Sequence, residues 1–460
     1  MKKILSKIGY GVFFCVCAAV IISCIVMLLN ISRNNQKTYT DIDAIVISGE
    51  KETSNKDYQK LDTVNLNNSE HYTEVRTREG YDALDTDEKK YLYEKIQENI
   101  YSIANEPDEN GHYRTARLKV SDSKMSEFEI REVVNAFIFD NPQVFWFENL
   151  FGYAYSGEDT IVEFYSVLSY EDCNQYIETF QTKVDEIIGS LSKGLSEYER
   201  EKAIHDIVLG NCTYKAGVTS ARDGWEYFSA YGALVNGEAV CEGYAKSMQI
   251  LLNQVGIACS TVRGSGEGVG HMWNVVKLGG EWYHLDPTWD DSADDTINYD
   301  YFNVTTQQIE NNHEIAEDIR SLLTRDGERD DAGIKYNFFV PDCNSIKMNY
   351  YSVDGYRLEW FDENSDKGMV AAMARHIQDG NYVLPISFGK NYTYDEYVNK
   401  LFYEPPHKYY YYVDMVNEQL GEEHRISKTH VVILKSPSNM TLKITMKPAD
   451  ASDEDEYDES

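Results

Sequence analysis

A chain of 460 residues with 42% hydrophobic and 13% aromatic side chains can bury two or three real cores, which excludes an intrinsically disordered protein. Its 43 basic residues face 77 acidic ones, for a formal charge of −34. A field of that sign repels phosphate backbones and excludes nucleic acid as a partner class.

At the N-terminus, Lys2, Lys3 and Lys7 precede "GYGVFFCVCAAVIISCIVMLLNI", residues 9–31, which carries no charge. The run matches the roughly 20 residues of a transmembrane helix better than the shorter apolar core of a cleaved signal peptide. It predicts a single-pass signal anchor with residues 1–8 in the cytoplasm and the rest of the chain outside the cell membrane. Ile21-Ile22-Ser23-Cys24 has a faint likeness to a lipoprotein box, but the apolar run continues through Leu29, so lipidation is the minor alternative. Cys15, Cys17 and Cys24 lie in the span, leaving Cys173, Cys212, Cys241, Cys259 and Cys343 beyond it. An odd, scattered set argues against a disulfide framework.

Residues 32–78 are polar and aperiodic, which predicts a flexible stalk. Folding is expected from residue 79. "LDTDEKKYLYEKIQENIYSIANE" has a capping Asp or Thr, acidic residues in its first turn, and Tyr91, Ile96, Ile100 and Ile103 at roughly helical spacing. A second helix is expected near Glu127 to Phe139, then a turn and an aromatic strand at "DNPQVFWFE". "TIVEFYSVLS" reads as a further strand, and Tyr176 to Leu209 as two helices split near Gly194.

The stretch "AVCEGYAKSMQILLNQVG" places Tyr244, Met248, Leu251, Leu252 and Val255 on one helical stripe that Gly256 can end. Cys241 falls in the first turn, where backbone N–H groups and the helix dipole favour a thiolate and could hold an oxyanion. Downstream, "HMWNVVKL" and "EWYHLD" flank Gly279-Gly280, the signature of a tight hairpin. Its register pairs Leu278 with Glu281 and Trp273 with Asp286. His271 then shares a face with Asp286 as a diagonal neighbour, within reach of an imidazole–carboxylate contact. His284 meets the same geometric condition. Accessibility favours His271, which emerges from a glycine-rich loop at the open end of its strand. Pro287 is expected to end the second strand.

In that order, "GALVNGEAVCEGYAKSMQILLNQVGI", "GHMWNVV" and "WYHLDPTWDD" resemble the bacterial transglutaminase-like superfamily. The resemblance implies a papain-like core in which a helix bearing Cys packs on an antiparallel sheet. It assigns Cys241 as nucleophile, His271 as general base and acid, and Asp286 as the residue that orients the imidazole. It covers residues 195–310 well and 80–195 weakly. It further implies acyl transfer through a thioester on protein or cell-wall peptide amides, ending in hydrolysis or in transfer to an amine, with hydrolysis favoured. Trp273 and Trp289 could wall the acyl cleft or belong to the core. Tyr231 could donate to the oxyanion or simply pack. The alternative class is a non-catalytic surface or adhesion module that keeps the fold. No cofactor or metal is expected.

Asp290, Asp291, Asp294 and Asp295 lack EF-hand spacing and read as a solvated loop. His424 and His430 make no H-E-x-x-H pattern, and His205 reads as a structural histidine. Beyond residue 330 the pattern predicts strand-like pieces with intervening helix: "GMVAAMARHIQ", "NYVLPISF", the aromatic run Tyr409 to Val413, "THVVILKS" and "MTLKITMK". The expected class is α+β. Its parts are the anchor (9–31), the stalk (32–78), an N-terminal α+β part of the catalytic region (79–194), the transglutaminase-like core (195–330), a C-terminal α+β accessory domain (331–447) and an acidic tail (448–460).

Overall fold

The computed structural model describes residues 43–46, 58–60, 78–218, 221, 224–291, 297–316 and 335–449. The expected span and nearly all of the acidic tail lie outside the described residues, as do Asp294 and Asp295. Among the described residues no helix is long and apolar enough to cross a membrane. Two pieces of the expected stalk are strands: Asp43–Val46 runs parallel to Leu150–Tyr153, and Tyr58–Lys60 pairs with Ser102–Ala104. Main-chain ladders hold these segments, a signal that side-chain polarity does not report.

By internal contacts the described chain forms two compact units, one from Met1–Val275 with Asn312–Pro341, the other from Val276–Asn311 with Asp342–Ser460. The division runs through the middle of one strand, Val269–Leu278.

In the first unit, helices Asp87–Asn99 and Glu127–Asp140 begin where their caps dictate. Thr86 Oγ1 accepts from Lys89 N, and Ser126 with Glu129 makes a reciprocal capping box. The antiparallel pair Phe147–Ser156 and Asp159–Ser166 follows, then helices Tyr170–Ser190 and Glu197–Asn211 on either side of Gly194. Asp140 closes a polar knot in this layer: Oδ1 accepts from Gly80 N at 2.9 Å, and Oδ2 accepts from Tyr81 N at 2.9 Å and Tyr93 Oη at 2.8 Å. Burial outweighs those bonds and raises its carboxyl from 3.8 to about 6. The fold therefore holds more protons than the unfolded chain between these two values. The stabilising contribution of about 3 kcal/mol is complete below pH 4 and is lost as pH rises through 6. Urea unfolding at pH 4, 5, 6 and 7 should show this decline in the wild type and not in Asp140→Asn; parallel curves would contradict the assignment.

The sheet that positions the site has the order Glu281–Leu285, Val269–Leu278, Cys259–Gly266, His313–Ile315. The turn Gly279-Gly280 has φ of 57° and 87°, a pair that glycine adopts without a side-chain penalty. The strand Glu281–Leu285 ends ahead of Pro287, the first residue of a short helix Pro287–Asp290.

In the second unit a four-stranded sheet runs Tyr356–Leu358, Val383–Phe388, Thr441–Pro448, Ile426–Ser436. Helices Glu363–Gln378 and Lys408–Leu420 belong to the same apolar core. The run Tyr409 to Val413, expected as a strand-like piece, is helical. Tyr409, Tyr412, Val413 and Val416 are buried at i, i+3, i+4 and i+7, while Tyr410 and Tyr411 are exposed. The segment around Asp300 is built into this unit: Asn349 Nδ2 donates to Phe302 O at 3.1 Å, the Tyr351 hydroxyl bonds Asp300, and Lys443 Nζ donates to Asn298 Oδ1 at 2.8 Å.

Candidate active site

Cys241 opens the helix Cys241–Gln254, with Val240 as N-cap in extended conformation and no side-chain cap. Tyr244, Met248, Leu251, Leu252 and Val255 are all buried, so the apolar stripe seats the helix and leaves the cysteine at its tip. Gly256, at φ 80°, follows its end. The first turn also needs a glycine. A Cβ on Gly243 would stand 2.6 Å from Ala239 Cβ and 2.8 Å from Ser229 O. Glu242, 5% exposed, binds Lys246 at 2.7 Å and lies 3.5 Å from Arg263. This buried cluster ties the helix to the neighbouring strand one residue from the thiol. From the sheet, Asn274 Nδ2 donates to Ala245 O at 2.9 Å.

Among the described cysteines Cys241 alone is part-exposed, and the other four are buried. Burial pushes the thiols of Cys173 and Cys259 well up and that of Cys343 to about 12, so none of the three ionises near neutrality. Iodoacetamide at pH 7.5, read by peptide mass spectrometry, should therefore alkylate Cys241 before Cys173, Cys259 or Cys343. Equal labelling in the folded protein would contradict this.

His271 lies on the strand Val269–Leu278, 6% exposed. Trp273, two residues on, is fully buried, and its ring stacks beside His271 with centroids 5.9 Å apart. Gly264 makes room for that indole: a Cβ there would stand 2.7 Å from Trp273 Cη2 and 2.1 Å from Glu314 O. Asp286 is fully buried and caps the short helix, its Oδ1 accepting from Thr288 N at 3.0 Å and Trp289 N at 3.2 Å. This cap fixes the carboxylate where strand gives way to helix.

The structure adds a histidine that sequence reasoning missed. His313 is on the strand paired with Cys259–Gly266, opposite Gly266. It is 4% exposed, 5.3 Å from His271 and 5.1 Å from Trp273 between ring centroids. Asn312 Oδ1 accepts from its Nδ1 at 2.7 Å, which makes Nε2 the lone-pair nitrogen.

The remaining candidates have surroundings of their own. His284 is fully buried, its Nε2 3.2 Å from Thr306 Oγ1 and its backbone bridged to Val304. Trp289 is half-buried against Tyr301. Tyr231, 7% exposed, packs in an aromatic cluster with Tyr176, Phe145 and Trp225, ring centroids 4.7, 5.2 and 6.1 Å away. Asp290 is buried and accepts from Tyr301 N at 2.9 Å, which makes it part of the loop's scaffold.

Residues 185–287 match the transglutaminase-like superfamily. The chain is also similar to proteins named kyphoscoliosis peptidase from Homo sapiens and Mus musculus. It is 27% identical to the human protein over 132 residues and to the mouse protein over 131, in each case 26% of this chain and 20% of the relative. The chain thus spans about a fifth of the length of these relatives. A solved structure described as a TGase shares 15% identity and a TM-score of 0.22, covering 39% of this chain and 52% of that one.

Proposed function

Because residues 185–287 match the transglutaminase-like superfamily, we propose that the chain is a cysteine enzyme performing acyl transfer or hydrolysis on peptide amides. Cys241 is its nucleophile, His271 its general base and acid, and Asp286 the orienting carboxylate. The observation that carries this reading is the position of Cys241, the one part-exposed thiol among the described cysteines, at the first residue of a buried helix. The burial of His271 and the backbone N–H groups that hold the Asp286 carboxylate support the assignment of the other two roles.

In this mechanism the Cys241 thiolate attacks the amide carbonyl, and the oxygen's developing charge faces the first-turn N–H groups. His271 passes its proton to the departing amine, and a thioester remains on Cys241. Water, deprotonated by His271, releases the acid; an amine in its place gives a new amide. Hydrolysis is the favoured outcome. The substrate class proposed is protein or cell-wall peptide, met outside the cell membrane by an enzyme anchored through residues 9–31. Incubation with a glutamine peptide and a labelled amine tests the branch. Release of acid or peptide fragments without label supports the hydrolase, label incorporation overturns it in favour of the transferase, and neither result with an intact Cys241 overturns the enzyme reading.

A further inference from the structure

His313 reaches the neighbourhood of His271 by a route that two glycines open. Its strand, His313–Ile315, and the strand Val269–Leu278 flank Cys259–Gly266, one on each side. Side chains on strands so placed are rooted about 9–10 Å apart, two interstrand spacings. They meet because Gly264 and Gly266, two residues apart on one face of the middle strand, carry no side chain. Trp273 lies over Gly264, and His313 is paired across from Gly266. The His313 ring is then 5.3 Å from that of His271 and 5.1 Å from that of Trp273, and Trp273 is 5.9 Å from His271, between centroids. All three side chains are buried.

We propose that His313 is a positioning residue for acyl transfer: with Trp273 it closes a clamp that holds the His271 ring at the angle from which it serves Cys241. The proposal rests on His271 being the general base.

The two jaws differ in orientation. Trp273 stacks on His271 at 20°, His313 meets it at 53°, and the two jaws cross at 70°. Neighbours at two angles restrict both side-chain torsions of His271, whereas one stacked ring would permit sliding along its face. His313 is itself held. Its Nδ1 donates to Asn312 Oδ1 at 2.7 Å, and Asn312 O accepts from Glu267 N at 2.8 Å. Past the other end of the strand, Asn337 Nδ2 donates to Ala316 O at 2.9 Å, while Asn337 Oδ1 accepts from Arg263 N at 2.8 Å. This three-residue strand is thus pinned at both ends, which suits a clamp, since a misplacement of about 1 Å can cost roughly 10²-fold in rate. No proton passes through His313 in this role, so its ring rather than its nitrogens carries the effect.

The test is the rate of Cys241 alkylation by iodoacetamide in the full chain at about pH 6.5, below the ordinary thiol range, with His271→Gln marking the rate without an imidazole partner. His313→Ala should slow alkylation at least about fivefold toward that floor, and His313→Phe should restore it to within about twofold of the wild type. His313→Gln, which also lacks a ring, should behave as alanine does and stands in if alanine unfolds; thermal unfolding is followed for each variant. In turnover, His313→Ala should lower kcat roughly 10–100-fold with KM changed less than about threefold, and phenylalanine should again recover it. A wild-type alkylation rate in a folded His313→Ala or His313→Gln overturns the clamp and leaves the acyl-transfer reading standing, and so does a folded His313→Phe as slow as alanine. Alkylation of His271→Gln as fast as that of the wild type instead overturns the pairing of His271 with Cys241, and with it both the acyl-transfer reading and the clamp.

Discussion

Cys241→Ala is expected to lower turnover by roughly 10⁴-fold or more, with the melting temperature close to that of the wild type. The thiol is part-exposed at the tip of its helix, so its removal opens no core cavity. What disappears is the atom that carries the acyl group, and the hairpin residues cannot replace it. Cys241→Ser should fall nearly as far, because a hydroxyl in the same place is scarcely ionised at neutral pH. The measurement is turnover of whichever substrate the amine-incorporation assay identifies, alongside thermal unfolding. Activity within tenfold of the wild type would remove Cys241 from the mechanism.

The second large effect is expected at Asp286. Asp286→Asn should cost on the order of 10⁴-fold in kcat with a smaller change in KM, because an amide can turn its N–H toward the imidazole and favour the wrong tautomer. Asparagine is the informative replacement: it keeps an oxygen for Thr288 N and Trp289 N, so the helix cap survives. Alanine would remove the cap as well and mix folding with catalysis. Residues acting as one machine are non-additive, so Asp286→Asn in a Cys241→Ala background should add almost nothing. An additive further loss would mean that Asp286 acts independently of the cysteine.

Legibility in the sequence followed the locality of the forces. The helix from Cys241 to Gln254 declares itself through an apolar stripe and a terminal glycine, both read within one window. The hairpin declares itself through Gly279-Gly280, because only a few residue types meet the turn's positive φ values. His313 had no such signal. "NNHEIAED" is polar, its strand has three residues, and its place is set by pairing with a strand about fifty residues earlier. Tyr409 to Val413 misled for the opposite reason: dense tyrosine suggests β structure, while the burial period of 3–4 residues that reveals a helix emerges only with Val416 included.

The backbone N–H of Asp286 donates to Tyr301 O at 3.1 Å, and the residues on either side of Tyr301 are held by Tyr351 and Asn349. The match to the transglutaminase-like superfamily ends at residue 287, short of Tyr301, Asn349 and Tyr351. The structural support of the Asp286 loop therefore extends beyond the matched stretch. A lineage that exchanged its C-terminal segment for another would leave the Asp286 loop with orphaned polar groups and would have to rebuild that footing before the carboxylate could serve again. The C-terminal segment is thus part of the footing of the Asp286 loop, through Asn349 and Tyr351.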